Sequence, residues 1–235
     1  MAYVMAFSAN KLSHVCISAH CRCCCISAQK GKISIRVWYL CLWMGSSMAS
    51  KSTAIPEGPN LVKGADPSKP TEYATFAGGC FWGMEKWFRK EFGAALKSTS
   101  VGYIGGQKAS PTYEDVCTGG TGHAEALQLE YYPDKVDYAT LLDYFWRLHD
   151  PTTLNRQGND VGTQYRSAIF YHSDSQKEAA NAKMAEMQGK QWGAPITTQV
   201  VPAKPEDFFR AEGYHQLYLD AHPGGYCNHF VRPKK

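Results

Sequence analysis

One cysteine of this sequence stands in a setting suited to chemistry. Cys80 follows Gly78-Gly79 and opens Phe81-Trp82-Gly83, with a short alternating segment before it and helical spacing after it. A thiol at a helix start faces unsatisfied backbone N–H groups and the positive end of the helix dipole. Both favour the thiolate, which is the nucleophilic form. Gly78, Gly79 and Gly83 are expected to let a substrate come close, and the context favours a reactive thiol over a buried structural one. A second candidate is Glu125. Side chains in a strand alternate between faces, so Glu125 shares a face with Leu127, Leu129 and Tyr131. It is then either an edge residue turned to water or a carboxyl held in an apolar pocket. In the pocket, desolvation would keep it protonated near neutral pH, as a general acid requires. Pattern alone leaves the two readings even. Tyr113, in Pro-Thr-Tyr-Glu-Asp, and Asp160 and Tyr165, in the Gly158–Ser167 stretch, lie in polar segments that taken singly read as surface turns.

The elements that must position these residues alternate along the body. Thr71–Ala77, Ser98–Ile104, Ala124–Tyr132, Gln164–Tyr171 and Ile196–Val201 read as strands. Trp82–Phe92 reads as a helix with Phe81, Met84, Phe88 and Phe92 at helical spacing. Asp137 caps a second helix that carries Tyr138, Leu141, Leu142 and Phe145 on one face and stops at Asp150-Pro151. Ser173 and Gln176 form a capping box ahead of a third, ending near Gly189. Glu206–Asp220 is helical in part, and a Gly/Pro-rich tail follows. Strands separated by helices, with no nucleotide-type glycine fingerprint, predict an α+β protein built as a two-layer sandwich.

Composition divides the 235 residues into a head and a body. Residues 1–56 hold six Lys/Arg and no acid, so all 21 acidic residues and 19 of the 25 basic ones fall in the body. A near-neutral body with a basic head lacks the basic face of a nucleic-acid binder. Six of the nine cysteines lie in the head, Cys21, Cys23, Cys24 and Cys25 among them. The body has only Cys80, Cys117 and Cys227, too few for a disulfide scaffold, which fits a reducing compartment. The uncharged run Val37–Gly45 is too short to span a bilayer, which needs ~20 apolar residues. Residues 1–47 are read as a disordered extension or a segment upstream of an alternative start at Met48, with a transit peptide or metal site as the alternatives. Residues 49–70 are read as a linker, so that 1–70 form an extension and 71–235 the catalytic domain.

Linked segments in order and spacing resemble the A-type peptide methionine sulfoxide reductases: Gly79-Cys80-Phe81-Trp82-Gly83, Gly122-His123-Ala124-Glu125-Ala126, His149-Asp150-Pro151 and Gly158–Ser167. The resemblance runs from about Tyr73 to Phe230. It implies a ferredoxin-like two-layer core with a long irregular C-terminal tail, and reduction of the S epimer of methionine sulfoxide, free or in proteins. It also implies Cys80 as nucleophile and Glu125 as general acid. Tyr113 and Tyr165 would be hydroxyls that bond the sulfoxide oxygen, and Asp160 would orient the polar network. Phe81 and Trp82, with Gly79, would form the substrate wall, and Cys227 would be the resolving thiol. No metal or other cofactor is implied, because the electrons come from thioredoxin. The chain is expected to act as a monomer in the cytoplasm, or in an organelle if residues 1–47 are a transit peptide, with no membrane or nucleic-acid partner. The sequence ends soon after Cys227 without a further cysteine, like the subtype with one resolving thiol. Tyr132 stands where relatives commonly have Asp, and Cys117 is expected to be a buried structural thiol.

Two other classes compete. A thiol hydrolase would pair Cys80 with His123, His149 or His215, yet no hydrolase signature surrounds any of them. A redox sensor switching through a Cys80–Cys227 disulfide would leave Glu125 and the aromatic pair idle.

Overall fold

The computed structural model describes residues 58–233, Gln191 excepted; the expectations for residues 1–57 lie outside the described residues. The elements in chain order are β1 (Asn60–Leu61), β2 (Glu72–Gly78), α1 (Phe81–Phe92), β3 (Leu96–Ile104), α2 (Tyr113–Cys117), β4 (Ala124–Tyr131) and α3 (Tyr138–Leu148). Then come β5 (Arg156–Gln157), β6 (Asp160–Val161), β7 (Ser167–Tyr171), α4 (Asp174–Lys190), β8 (Gln199–Pro202), β9 (Phe209–Arg210) and α5 (Tyr218–Ala221).

The fold is α+β around a mixed seven-stranded sheet. Its order is β1-β3-β4-β2-β7-β8, with β9 pairing β3, and β5-β6 forms a separate two-stranded ribbon. Only β7 and β8 run parallel; the other neighbours are antiparallel. Period-2 alternation sorts the strands onto two unequal faces. On one, Phe76, Val101, Leu127, Leu129 and Ile169 pack against Phe88 of α1, Leu141 and Phe145 of α3 and Ala180 of α4. On the other, Ala77, Ile104, Ala124, Ala126, Ala168 and Phe170 make a smaller cluster under Val201, Ala203 and Phe208. Small residues there let the chain cross the sheet closely without a layer of helices.

Helix starts follow the local chemistry. Asp137 Oδ1 accepts the Thr140 N–H at 2.7 Å at the head of α3, a cap worth ~1 kcal/mol. Thr112 and Asp115 form a reciprocal capping box that starts α2 inside a stretch expected to be irregular. At α4 the expected box is modified: Ser173 Oγ accepts from Gln176 N–H, but Gln176 Oε1 takes the N–H of His172 rather than that of Ser173. The supposed linker also holds structure, because β1 pairs with β3 and buries Asn60.

Candidate active site

Cys80 is the N-cap of α1, immediately after the central strand β2. The N–H groups of Trp82 and Gly83 in the first turn donate to its sulfur. They favour the thiolate as the sequence implied, but they do not prevail. Burial, reinforced by the nearby Glu125, pushes the thiol well above its ordinary value. Burial of the thiol thus opposes its ionisation, and the N–H groups of the first turn offset this only in part. Burial was the factor the sequence hid.

Glu125 lies one residue inside β4, beneath the N-terminus of α1, and is 1% exposed. Its Oε2 accepts one bond, from the Phe81 N–H at 3.2 Å. Desolvation dominates and, with help from Asp160, pushes its carboxyl up to about 8. The geometry thus decides between the two readings of this residue: it sits in the pocket. With Glu125 neutral, its repulsion of a Cys80 thiolate disappears.

The expected tyrosines are placed differently from one another. Tyr165 lies against the pair: burial, then Glu125 and Cys80, raise its hydroxyl. Tyr113 opens α2 with its ring 4.5 Å from the His215 ring, and its N–H donates to Glu212 Oε1 at 2.8 Å. Glu212 Oε2 in turn accepts the Tyr103 hydroxyl at 2.9 Å, and the Tyr103 ring lies 6.0 Å from Phe81. Asp160 on the β5-β6 ribbon accepts from Asn228 Nδ2 at 2.8 Å and from the Tyr226 hydroxyl. Through Asn228, which also donates to the Gln157 carbonyl at 2.9 Å, the ribbon is tied to the tail that carries Cys227. Trp82 stacks on Tyr218 at 3.9 Å and donates from Nε1 to His215 Nδ1 at 3.2 Å.

The glycines allow the chain to pack closely on itself. Gly79 has φ +96°, and a Cβ there would lie 2.6 Å from Gln157. At Gly83 a Cβ would collide with the His229 ring and lie 3.1 Å from Cys227 Sγ. On the Cβ side of Gly79 and Gly83 the space is taken by the chain's own ribbon and tail. Gly83 thereby becomes a meeting point, since its N–H faces Cys80 Sγ and its open face receives Cys227. Cys117 departs from expectation too: it is exposed, because α2 buries only Val116.

Glu85, Glu212, Gln216, Asn228 and His229 carry no signal in the sequence that marks them for the site. All lie in or bind the irregular tail, where no periodicity marks them; only the density of polar residues in Glu212–Gln216 was visible. Among the described residues, no group of three or more His, Cys, Asp or Glu is arranged to hold a metal ion. No described helix is long and apolar enough to cross a membrane.

The family described as peptide methionine sulfoxide reductase matches residues 72–235. A peptide methionine sulfoxide reductase MsrA of Methanothermobacter thermautotrophicus is 54% identical over 158 residues, spanning 66% of this chain and 90% of that protein. A peptide methionine sulfoxide reductase of Solanum lycopersicum is 45% identical over 184 residues, spanning 78% and 91%. Among solved structures, reduced Mxr1 from Saccharomyces cerevisiae superposes with a TM-score of 0.66 at 42% identity, covering 72% of this chain and 96% of that one. Methionine sulfoxide reductase A of Corynebacterium diphtheriae gives 0.62 at 35% identity, covering 73% and 85%.

Proposed function

This chain belongs to the peptide methionine sulfoxide reductase family, and from that premise we propose how its own residues return the S epimer of methionine sulfoxide to methionine. The observation that carries the reading is Glu125: a fully buried carboxyl, pushed up to about 8, beside the sulfur of a helix-capping cysteine. Such a group is neutral at pH 7 and can hand a proton to an oxygen that is gaining charge.

Cys80 Sγ attacks the sulfoxide sulfur with the N–H groups of Trp82 and Gly83 behind it. Negative charge grows on the oxygen, where Glu125 supplies a proton and Tyr165 and Tyr113 supply hydroxyls. The oxygen then passes to the Cys80 sulfur as its bond to the methionine sulfur and the newly formed S–S bond break, so that methionine leaves and Cys80 remains as sulfenic acid. The proton lost from the thiol restores Glu125, so the step balances. Phe81 and Trp82 hold the apolar end of the substrate, and Asp160 fixes the ribbon and tail through Asn228 and Tyr226. Cys227 then closes a disulfide on Cys80, and a thioredoxin-type dithiol reopens it by exchange. Cys227 is half-buried between exposed Tyr226 and Phe230, which favours access by such a reductant.

The connectivity β2-α1-β3-β4-α3-β7, with spatial order β3-β4-β2-β7 and antiparallel neighbours, supports a ferredoxin-like core. Residues 1–47 are an extension dispensable for catalysis, acting if at all in targeting; a reporter fusion starting at Met1 or at Met48 separates targeting from none. The catalytic reading is tested by counting methionine released per enzyme without reductant. Cys80→Ser should release none, and Cys227→Ser one equivalent before stalling even with thioredoxin. Methionine from Cys80→Ser would refute it.

A further inference from the structure

His229 is a buried imidazole that the mechanism so far leaves unused. It is 5% exposed and lies two residues beyond Cys227, against the first turn of α1. Its Nε2–H donates to the Gly78 carbonyl at 2.8 Å, which fixes the tautomer and leaves the lone pair on Nδ1. That Nδ1 finds no hydrogen-bond partner among the described residues. A buried acceptor without a partner is costly, so its persistence at this place asks for a use. Nδ1 and Cys227 Sγ both press on the spot above Gly83 that a single methyl group would fill. The Cys227 thiol meanwhile donates to the His229 carbonyl over 3.8 Å, a long contact that is easily given up.

We propose that His229 Nδ1 is the general base that takes the proton from Cys227 as its sulfur attacks the Cys80 sulfenic acid. This rests on the reading of Cys227 as the resolving thiol. The Cys227 sulfur is oxidised and the Cys80 sulfur reduced as the S–S bond forms and the S–O bond of Cys80 breaks. The departing oxygen takes a proton from reprotonated Glu125 and leaves as water. The imidazolium then releases the proton of Cys227, which balances the one Glu125 gave up.

The surroundings keep the ring neutral, so that its Nδ1 lone pair is free to accept a proton. Burial, with Arg232 adding to it, brings His229 down to about 4. His149, at the end of α3, is held at about 3 by burial and by His229 itself. Arg232 from the tail, His149 from α3 and Cys227 are the titratable or charged groups that face the ring, with Asp150 acting on both His149 and Arg232. Above pH 5 both imidazoles are therefore neutral, and the Nδ1 lone pair is available throughout.

The test is the rate of Cys80–Cys227 disulfide formation after one equivalent of methionine sulfoxide, followed by alkylation quench from pH 5 to 8. In the unaltered protein the rate should be nearly flat over this range. A thiol that must ionise into water would instead speed up about tenfold per pH unit. His229→Gln can keep the bond to the Gly78 carbonyl but not the basic lone pair. It should still release its first methionine, while disulfide formation slows by about 10² at pH 6 and acquires the tenfold-per-unit slope. The retained first methionine shows that the variant is folded. Should it not fold, the profile of the unaltered protein decides alone: a flat profile supports the base and a steep one overturns it. A variant with the unaltered rate and slope overturns the base while leaving Cys227 as resolving thiol. Absence of the disulfide in the unaltered protein overturns both.

Discussion

Two carboxyls are buried on either side of the N-terminal half of α1, and they are treated in opposite ways. Glu85, on the helix itself, is 2% exposed and fully wired. Its Oε1 accepts from Thr99 Oγ1 at 2.7 Å and Asn60 Nδ2 at 2.8 Å, and its Oε2 from the Leu217 N–H at 2.8 Å, with Arg89 nearby. Glu125, 1% exposed, has the single Phe81 N–H. Burial raises both, but only Glu125 lacks the donors that would oppose it. The wired carboxyl joins β1, β3 and the tail, and holds Leu217 at φ 52°, a left-handed conformation unusual for a branched residue. That places Tyr218 on Trp82. The unwired carboxyl keeps a proton to give away. The number of donors around a buried acid separates a structural clasp from a chemical reagent.

The same substitution at the two sites should therefore have crossed effects. Glu125→Gln should slow single-turnover release of methionine by ~10²–10⁴, the range for a positioned acid, while substrate binding largely survives because an amide still donates a hydrogen bond. An unchanged burst rate would return Glu125 to the rank of a packing residue. Its effect on stability runs the other way. The folded protein keeps a proton that the unfolded chain releases above about pH 4.5, so stability is lost as pH rises from there to about 8. The loss amounts to about 3 kcal/mol by pH 7. Glu125→Gln should flatten this component of the Tm-against-pH curve between pH 5 and 8, as a thermal melt series would show.

Glu85→Gln should cost about 1–3 kcal/mol, because an amide N–H replaces an acceptor in front of existing donors. Urea unfolding would measure it, and methionine release should change far less than in Glu125→Gln. Equal losses of rate at both sites would erase the distinction. The smallest effect is expected at the other end of the chain: starting at Met48 should leave both turnover and melting temperature within error.

Much of this contrast was legible at Glu125 and none of it at Glu85. The strand Ala124–Tyr131 announces its two faces by alternation, so the acid among Leu127, Leu129 and Tyr131 stood out before any coordinates. Glu85 sits on a helix amid Lys and Arg, and its partner Leu217 is 132 residues away in a segment without periodicity. For the same reason the long elements β2, α1, β3, β4 and α3 were foreseen to within a residue or two. Two-residue strands such as β1, β5 and β6 are too short to carry a period, and α2 is set by its capping box rather than by an apolar stripe. Strand β7 begins three residues later than expected because a 3-10 turn over Thr163–Tyr165 delivers Tyr165 to the site first. At Cys80 the helix start is visible in the sequence, whereas the depth at which the thiol is buried is not.

The proposed chemistry requires that Glu125 wait as a neutral acid at physiological pH. An infrared difference spectrum between the unaltered protein and Glu125→Gln isolates its carboxyl from every other acid, Glu85 included. A protonated-carboxyl band should be present at pH 6 and disappear with a midpoint near 8. A difference spectrum showing only an ionised carboxylate at pH 6 would contradict it.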